Sequence, residues 1–287
     1  MLKQRIITAL ILAPSAILAI FYLPIEHFSL LLMAIIAIGA WEWSRFMGIK
    51  QPINRVFYSL STLFIIGVLW VSTPLVASWQ LTSELALETN IVLWLSSAWW
   101  LIATLLIFSY PKLNKYGMNN LFVIGVLGWL VLVPTWVAFV LLRTSHYSVD
   151  EFYGAQLLMY LFMLVWSADI GAYFVGKSLG VKKLLPNVSP GKTVEGFLGG
   201  IVSALILTLL VGFFTEWTLS KLLIAGFVTL LITSISVLGD LTESMFKRQA
   251  GVKDSGSILP GHGGILDRID SLTATAPVFA LCYILLA

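Results

Sequence analysis

Nine stretches of the chain are apolar enough, at about 17–25 residues each, to cross a bilayer as helices. They fall near residues 6–23, 28–44, 56–73, 91–110, 121–142, 155–176, 194–214, 222–246 and 264–286, separated by short polar segments. This pattern predicts an all-α polytopic membrane protein of about nine transmembrane helices. The first run follows Lys3 and Arg5, is longer than the roughly 7–15-residue core of a secretory signal and lacks a small-residue cleavage site, so it reads as a retained anchor. Trp41, Trp43, Trp79, Trp99 and Trp100 lie near predicted span ends or in clusters, as in an interfacial aromatic belt. Pro134 inside the fifth span is tolerated in membrane helices and implies at most a kink.

Composition agrees with the pattern. Of 287 residues, 59% are hydrophobic and 11% charged, with mean hydropathy +0.96, against about 25% charged in soluble domains. The single cysteine, Cys282, excludes a disulfide or a thiolate metal site within one chain and reads as a packing or lipid-facing residue. No internal repeat is visible, so nothing favours an inverted-repeat transporter.

Charge gives the orientation. With a cytoplasmic N-terminus and an extracytoplasmic C-terminus, the inner segments collect Lys3, Arg5, Arg45, Lys50, Arg55, Lys112, Lys115, Lys177, Lys182, Lys183, Lys192, Lys247, Arg248, Lys253 and Arg268. Only Arg143 and Lys221, of 17 basic residues, are left outside. That asymmetry satisfies the positive-inside rule and fits an odd number of spans. Glu26, Glu84, Glu88, Asp150, Glu151 and Glu216 fall on the other side. The basic face suits anionic headgroups or phosphorylated substrates.

The chain divides functionally near residue 150. Residues 1–150 read as a scaffold of about five spans, nearly free of internal charge, and residues 151–287 as a catalytic region of about four. In the second region Asp169 lies in the sixth span about seven residues from its end, Glu195 opens the seventh, Asp240 and Glu243 close the eighth, and Asp267 and Asp270 open the ninth. All belong to one layer. The pairs Asp240/Glu243 and Asp267/Asp270, three residues apart, each share a helix face. Acids this close to hydrocarbon face a polar cavity and share a cation. Oxygen-only ligands imply a hard ion such as Mg²⁺, with Mn²⁺ or an alkali ion as alternatives. A network neutralised by Lys247, Arg248 and Arg268 without any metal is the other reading.

Two turns add phosphate chemistry. The basic segment from Gly176 to Thr193 ends in Ser189-Pro190-Gly191-Lys192-Thr193 before the seventh span, where a helix N-terminus and a lysine can hold an anion. It is not a Walker A loop, because Pro186 stands where that motif needs glycine and no strand is expected before it. Ser189 or Thr193 serving only as a helix cap is the alternative. The second turn, Pro260-Gly261-His262-Gly263-Gly264, permits positive φ and close backbone approach to a phosphate. His262 is either a base or phosphate donor, or a turn residue bonded to backbone. Acids for a cation, bases for phosphates and an opening between bilayer and cytosol together describe phosphoryl or nucleotidyl transfer to a lipid.

Ser244, Lys247, Arg248, Lys253, Asp254, Gly256, Leu259, Pro260, His262, Gly263, Gly264, Asp267, Arg268 and Asp270 resemble, position for position, the C-terminal signature of the phosphatidate cytidylyltransferases, the CDP-diacylglycerol synthases of bacterial type. Ser167-Ala168-Asp169 and the run Ser189 to Gly196 resemble that family's other blocks. The specific similarity covers about residues 165–272.

The resemblance implies transfer of CMP from CTP to phosphatidate, giving CDP-diacylglycerol and pyrophosphate, at the cytoplasmic face of a bacterial inner membrane. It implies catalytic roles for Asp240, Asp267, Asp270 and Lys253. Metal ligation is expected of Asp240, Asp267, Asp270 and Asp169, with Mg²⁺ or Mn²⁺ and a second cation such as K⁺. Substrate phosphates are expected to meet Ser189, Lys192, Thr193, Lys247, Arg248, His262, Gly263, Gly264 and Arg268. The expected partners are CTP, phosphatidate and membrane lipids, with a homodimer as a further expectation and no nucleic acid. A CTP-dependent lipid or polyprenol kinase and an ion-coupled transporter are the competing functions.

Overall fold

The computed structural model describes residues 2–73, 87–112 and 120–286. Trp79, Glu84 and Lys115 lie outside the described residues, as do the side chains of Lys3 and Arg5. Among the described residues the chain forms nine helices and one small hairpin: α1 (Leu2–Tyr22), α2 (Ile25–Trp43), α3 (Pro52–Ser72), α4 (Leu87–Ser109), α5 (Leu121–Thr144), α6 (Tyr153–Leu179), β1 (Lys183–Leu185), β2 (Ser189–Thr193), α7 (Val194–Phe214), α8 (Leu219–Gln249) and α9 (Leu266–Leu286). Eight of the helices, α2 to α9, are long and apolar enough to span a membrane. In α1 the described apolar segment is Leu10–Tyr22. The protein is a multi-pass membrane protein, as its hydropathy predicts.

Backbone amides have no water to bond in hydrocarbon, so each span closes its own hydrogen bonds as a helix. What arranges the spans is packing. Helix α5 is central: from Val131 to Arg143 every residue is buried, and α2, α3, α4, α6 and α9 pack around it. Pro134 lies inside this continuous helix and is itself buried. Because α9 touches α2, α4, α5 and α8, the first and second halves of the chain share one core.

Helices α6 and α7 meet backbone to backbone. A Cβ on Gly199 would lie 2.5 Å from Val175, one on Gly200 2.8 Å from the Ala168 carbonyl, and one on Gly171 2.6 Å from the Gly199 carbonyl. Small residues at such a seam gain van der Waals contact, the main attraction available between helices in lipid. Deeper in the bundle, Tyr160, Thr208 and Thr229 link α6, α7 and α8 through hydroxyl contacts of 2.7–3.4 Å.

The polar end of the bundle is well defined. The start of α1 reaches the turn before α9, with the Thr8 hydroxyl donating to the Pro260 carbonyl at 3.2 Å. At the opposite end the buried Arg143 guanidinium donates to the Ile20 carbonyl at 2.7 Å and the Glu151 carbonyl at 3.1 Å. This places the beginning of α1 and the beginning of α9 together at one end, and Arg143 at the other.

Three tryptophans depart from the aromatic-belt expectation. Trp43, Trp99 and Trp100 are 2–3% exposed, and the Trp43 indole donates to the Ile124 carbonyl at 2.9 Å. Trp99 and Trp100 lie midway along α4, which packs against α5, α8 and α9, and Trp43 packs against Phe46 and Phe246, so neighbouring helices bury all three. Trp41 behaves differently, lying under the Arg55 guanidinium at 4.0 Å.

Candidate active site

The segment read as a loop before α7 folds into the β1–β2 hairpin, pairing Lys183 with Thr193 and Leu185 with Ser189. Two interactions hold it to the helices. Thr193 is the N-cap of α7 and accepts from the Gly196 amide at 3.1 Å. The Glu195 carboxylate accepts from the Val181 and Lys182 amides at 3.1–3.2 Å, so Glu195 ties the end of α6 to α7 and does not join the other acids. Thr193 thus takes the capping role, and the hairpin carries Lys192 toward α8.

Lys192 makes an ion pair with Asp240 of α8 at 2.6 Å, with the two side chains 27% and 34% exposed. Lys192 also lines a cleft of about 360 Å³, together with Asp169, Lys177, Gly191, Thr193 and other residues of α6, α7 and α8. That volume is within the usual range for a small-molecule site, about 300–1,000 Å³. Asp169 is exposed on α6 and lies within electrostatic reach of Lys192, Asp240 and Arg268. Helix α6 continues to Leu179, three residues beyond its predicted end, so Asp169 sits about 15 Å from that terminus at 1.5 Å per residue.

The turn before α9 forms the second half of the site. Gly261 and Gly263 have φ of 76° and 85°, values that glycine adopts without the Cβ penalty. The reversal is closed by the Leu259 amide on the Gly263 carbonyl and the His262 amide on the Leu259 carbonyl, at 2.9 and 3.0 Å. Arg268 donates to the His262 carbonyl at 3.1 Å. The His262 backbone is thus part of the turn, and among the described residues its buried Nδ1 has no hydrogen-bond partner.

Asp267 organises this turn. Its Oδ2 accepts from the Ser255 amide, the Ser255 hydroxyl and the Gly264 amide at 2.8–2.9 Å, and its Oδ1 pairs with Lys247 at 2.7 Å. Lys247 also meets Glu243 at 3.3 Å, one turn back on α8. Neither Glu243 oxygen has a hydrogen-bond partner among the described residues, although the side chain is 4% exposed. Asp270 accepts from the Ser271 amide at 2.7 Å, lies within electrostatic reach of Asp240, Lys247 and Lys192, and shares a small void with Glu243, Trp43 and Trp100.

The structure therefore draws Asp169, Lys192, Asp240, Lys247, Asp267, Asp270, Gly263 and Gly264 into one polar layer. Arg248 joins at its edge, its Nε directed at the Val188 carbonyl of the hairpin at 3.5 Å. Lys253 is exposed on the loop after α8. Ser189 is half-buried at the start of β2. Among the described residues no three or more His, Cys, Asp or Glu side chains converge as a ready-made metal cage.

Two members of this layer were absent from the sequence-based candidates. Glu42, at the end of α2 and 1% exposed, accepts from the Ile265 and Leu266 amides at 3.1 and 2.8 Å and from the Ser255 hydroxyl at 3.1 Å. Arg45 donates to the Ser255 carbonyl at 2.7 Å. A carboxylate and an arginine within Trp41-Glu42-Trp43-Ser44-Arg45, closing an apolar span, were the signal available; their partners lie more than 200 positions away.

A polytopic helical bundle with a basic, glycine-turned polar layer at one end defines a membrane-embedded enzyme acting on phosphate groups. The particular family follows from comparison: residues 3–286 match the cytidylyltransferase family, and the chain belongs to it. A phosphatidate cytidylyltransferase of Haemophilus influenzae is 43% identical over 288 residues, covering 99% of each chain. One from Pseudomonas aeruginosa is 45% identical over 98% of this chain and 96% of its own. One from Bacillus subtilis is 42% identical over 65% of this chain and 66% of its own.

Proposed function

We propose that the protein transfers CMP from CTP to phosphatidate, releasing pyrophosphate and forming CDP-diacylglycerol, at the cytoplasmic face of a bacterial inner membrane. The observation that carries the reading is the single polar layer in which Lys192 and Lys247 face carboxylates of α8 and α9, within a chain that shares nearly its whole length with named phosphatidate cytidylyltransferases. A phosphate oxygen of phosphatidate attacks the α-phosphorus of CTP. The bond from that phosphorus to the bridging oxygen of the β-phosphate breaks, and pyrophosphate leaves with the electron pair.

The chain's own groups divide this work. Lys192 lines the cleft and is 27% exposed, so an arriving phosphate can take it from Asp240. Gly263 and Gly264 let the turn backbone pack closely against Asp267, Ser255 and Glu42, where a Cβ would not fit, and Lys247 sets a fixed positive charge behind Asp267. Arg248, Lys253 and Arg268 add positive charge around the leaving pyrophosphate, with Ser189 and His262 as hydrogen-bonding neighbours. Distances in line with catalysis are reached in the substrate complex, where reacting atoms must approach to about 3–3.5 Å.

The donor chemistry fits Mg²⁺. Mg²⁺ is commonly bound by one or two carboxylates plus substrate phosphates and waters rather than by a complete protein cage, which suits acids that share one layer without converging. Asp240, Asp270 and Asp169 are the residues that would hold it, with Asp267, whose oxygens already accept from four donors, fixed beside them. Bound there, the ion supplies neutralisation of the triphosphate charge.

The direct test is purified protein in detergent with phosphatidate, Mg²⁺ and CTP labelled at either the α- or the γ-phosphate. Label from the α-position is expected in the lipid product, with pyrophosphate released. Transfer of γ-label to lipid would establish a kinase instead, and absence of both would end the reading.

A further inference from the structure

Glu42 lies in the half of the chain that supplies the scaffold, yet its carboxylate is fully enclosed by the other half. Oε1 accepts from the Ile265 amide; Oε2 accepts from the Leu266 amide and the Ser255 hydroxyl. The Ile265 and Leu266 amides are at the start of α9, where unpaired N–H groups and the helix dipole favour an anion. The fit is tight. A Cβ on Gly256 or Gly264 would come within 2.1–2.5 Å of the Glu42 carboxylate, so these glycines leave space that the acid fills.

The Ser255 hydroxyl is the link onward. It lies 3.1 Å from Glu42 Oε2 and 2.9 Å from Asp267 Oδ2, and one hydroxyl proton serves both acceptors. Arg45 fixes the same serine through its carbonyl. The chain of contacts thus runs from α2 through Ser255 to Asp267, and through Asp267 to Lys247. We propose that Glu42 is a positioning residue for cytidylyl transfer: it fixes the turn before α9 against α2 and thereby sets the placement of Asp267 and Lys247. The inference rests on the function proposed above.

Glutamate is required at this place for its two acceptor oxygens. Glu42→Gln keeps the volume, but in either orientation its NH₂ opposes a backbone N–H, of Ile265 or of Leu266. A misplacement of about 1 Å remote from the chemistry can lower turnover about 100-fold. The expected result for Glu42→Gln is a folded, monodisperse protein whose kcat falls about 100-fold while KM for CTP changes little. Ser255→Ala leaves the caps on α9 intact and removes only the bridge; it should lower kcat as well, and the double variant should be no slower than Glu42→Gln alone.

Wild-type kcat in folded Glu42→Gln overturns the proposal, as do kcat losses that multiply in the double variant. Should Glu42→Gln fail to fold, Ser255→Ala decides: wild-type kcat there overturns the role. Arg143→Gln, equally buried at the far end of the bundle, serves as the structural control and should lower thermal stability without changing kcat of the folded fraction. Failure of the function itself is separately visible, as absence of CMP transfer by the unmodified protein.

Discussion

The site has two lysine–carboxylate arrangements that differ in what surrounds them. Lys192 and Asp240, joining the hairpin to α8, are 27% and 34% exposed, and Lys192 lines the open cleft. Lys247, between Asp267 and Glu243, is enclosed, with all three side chains no more than 12% exposed. An exposed pair gains little net energy because water screens it and two long side chains must be ordered. An enclosed charge that loses its partner has no solvent to replace it. The first pair is therefore exchangeable, suited to being opened by a ligand, and the second is part of the frame against which the ligand is held.

That contrast can be broken experimentally. The largest effect is expected from Lys247→Met, which leaves two carboxylates facing each other without a cation: a loss of about 3–5 kcal/mol, read from the unfolding midpoint in mixed detergent, together with loss of turnover. A change below about 1 kcal/mol would show that the enclosed network is not structural. Lys192→Gln should behave oppositely. Its stability should stay within about 1 kcal/mol of the parent, while kcat/KM for CTP falls at least about tenfold, the loss expected for one charge-assisted phosphate contact. Unchanged kcat/KM would remove Lys192 from the substrate path. The smallest effect belongs to Thr193→Ala, which deletes the cap of α7 and should cost about 1 kcal/mol with a modest rise in KM, because the hairpin that carries Lys192 loses its nearest anchor. No change in either quantity would mean that Glu195 alone holds the hairpin.

The apolar runs located every helix to within a few residues because hydrocarbon thickness constrains length and leaves the backbone no other structure. The charge-bearing half was equally legible, since acids and glycines stand out against so apolar a background. Other features depend on contacts between distant segments. Glu42 looks like an interfacial acid until Ser255 and the start of α9 close over it. Trp43, Trp99 and Trp100 are likewise buried by helices that come together only in the folded bundle. The hairpin at Lys183–Thr193 is too short and too polar to show strand alternation; its shape comes from the Thr193 cap and the Glu195 clamp.

The glycine seam between α6 and α7 has a consequence for how this protein can vary. Val175 and Gly199 meet in the seam, and α7 carries at its start the hairpin and Lys192. A single added methyl at Gly199 has nowhere to go but between the helices, because a Cβ there already overlaps Val175. Such a methyl acts as a wedge, and its displacement is delivered at the end of the lever, where Lys192 meets Asp240. Drift in sequence is thus tolerated on the lipid-facing sides of these two helices and forbidden along one narrow line, although nothing on that line has any chemistry of its own.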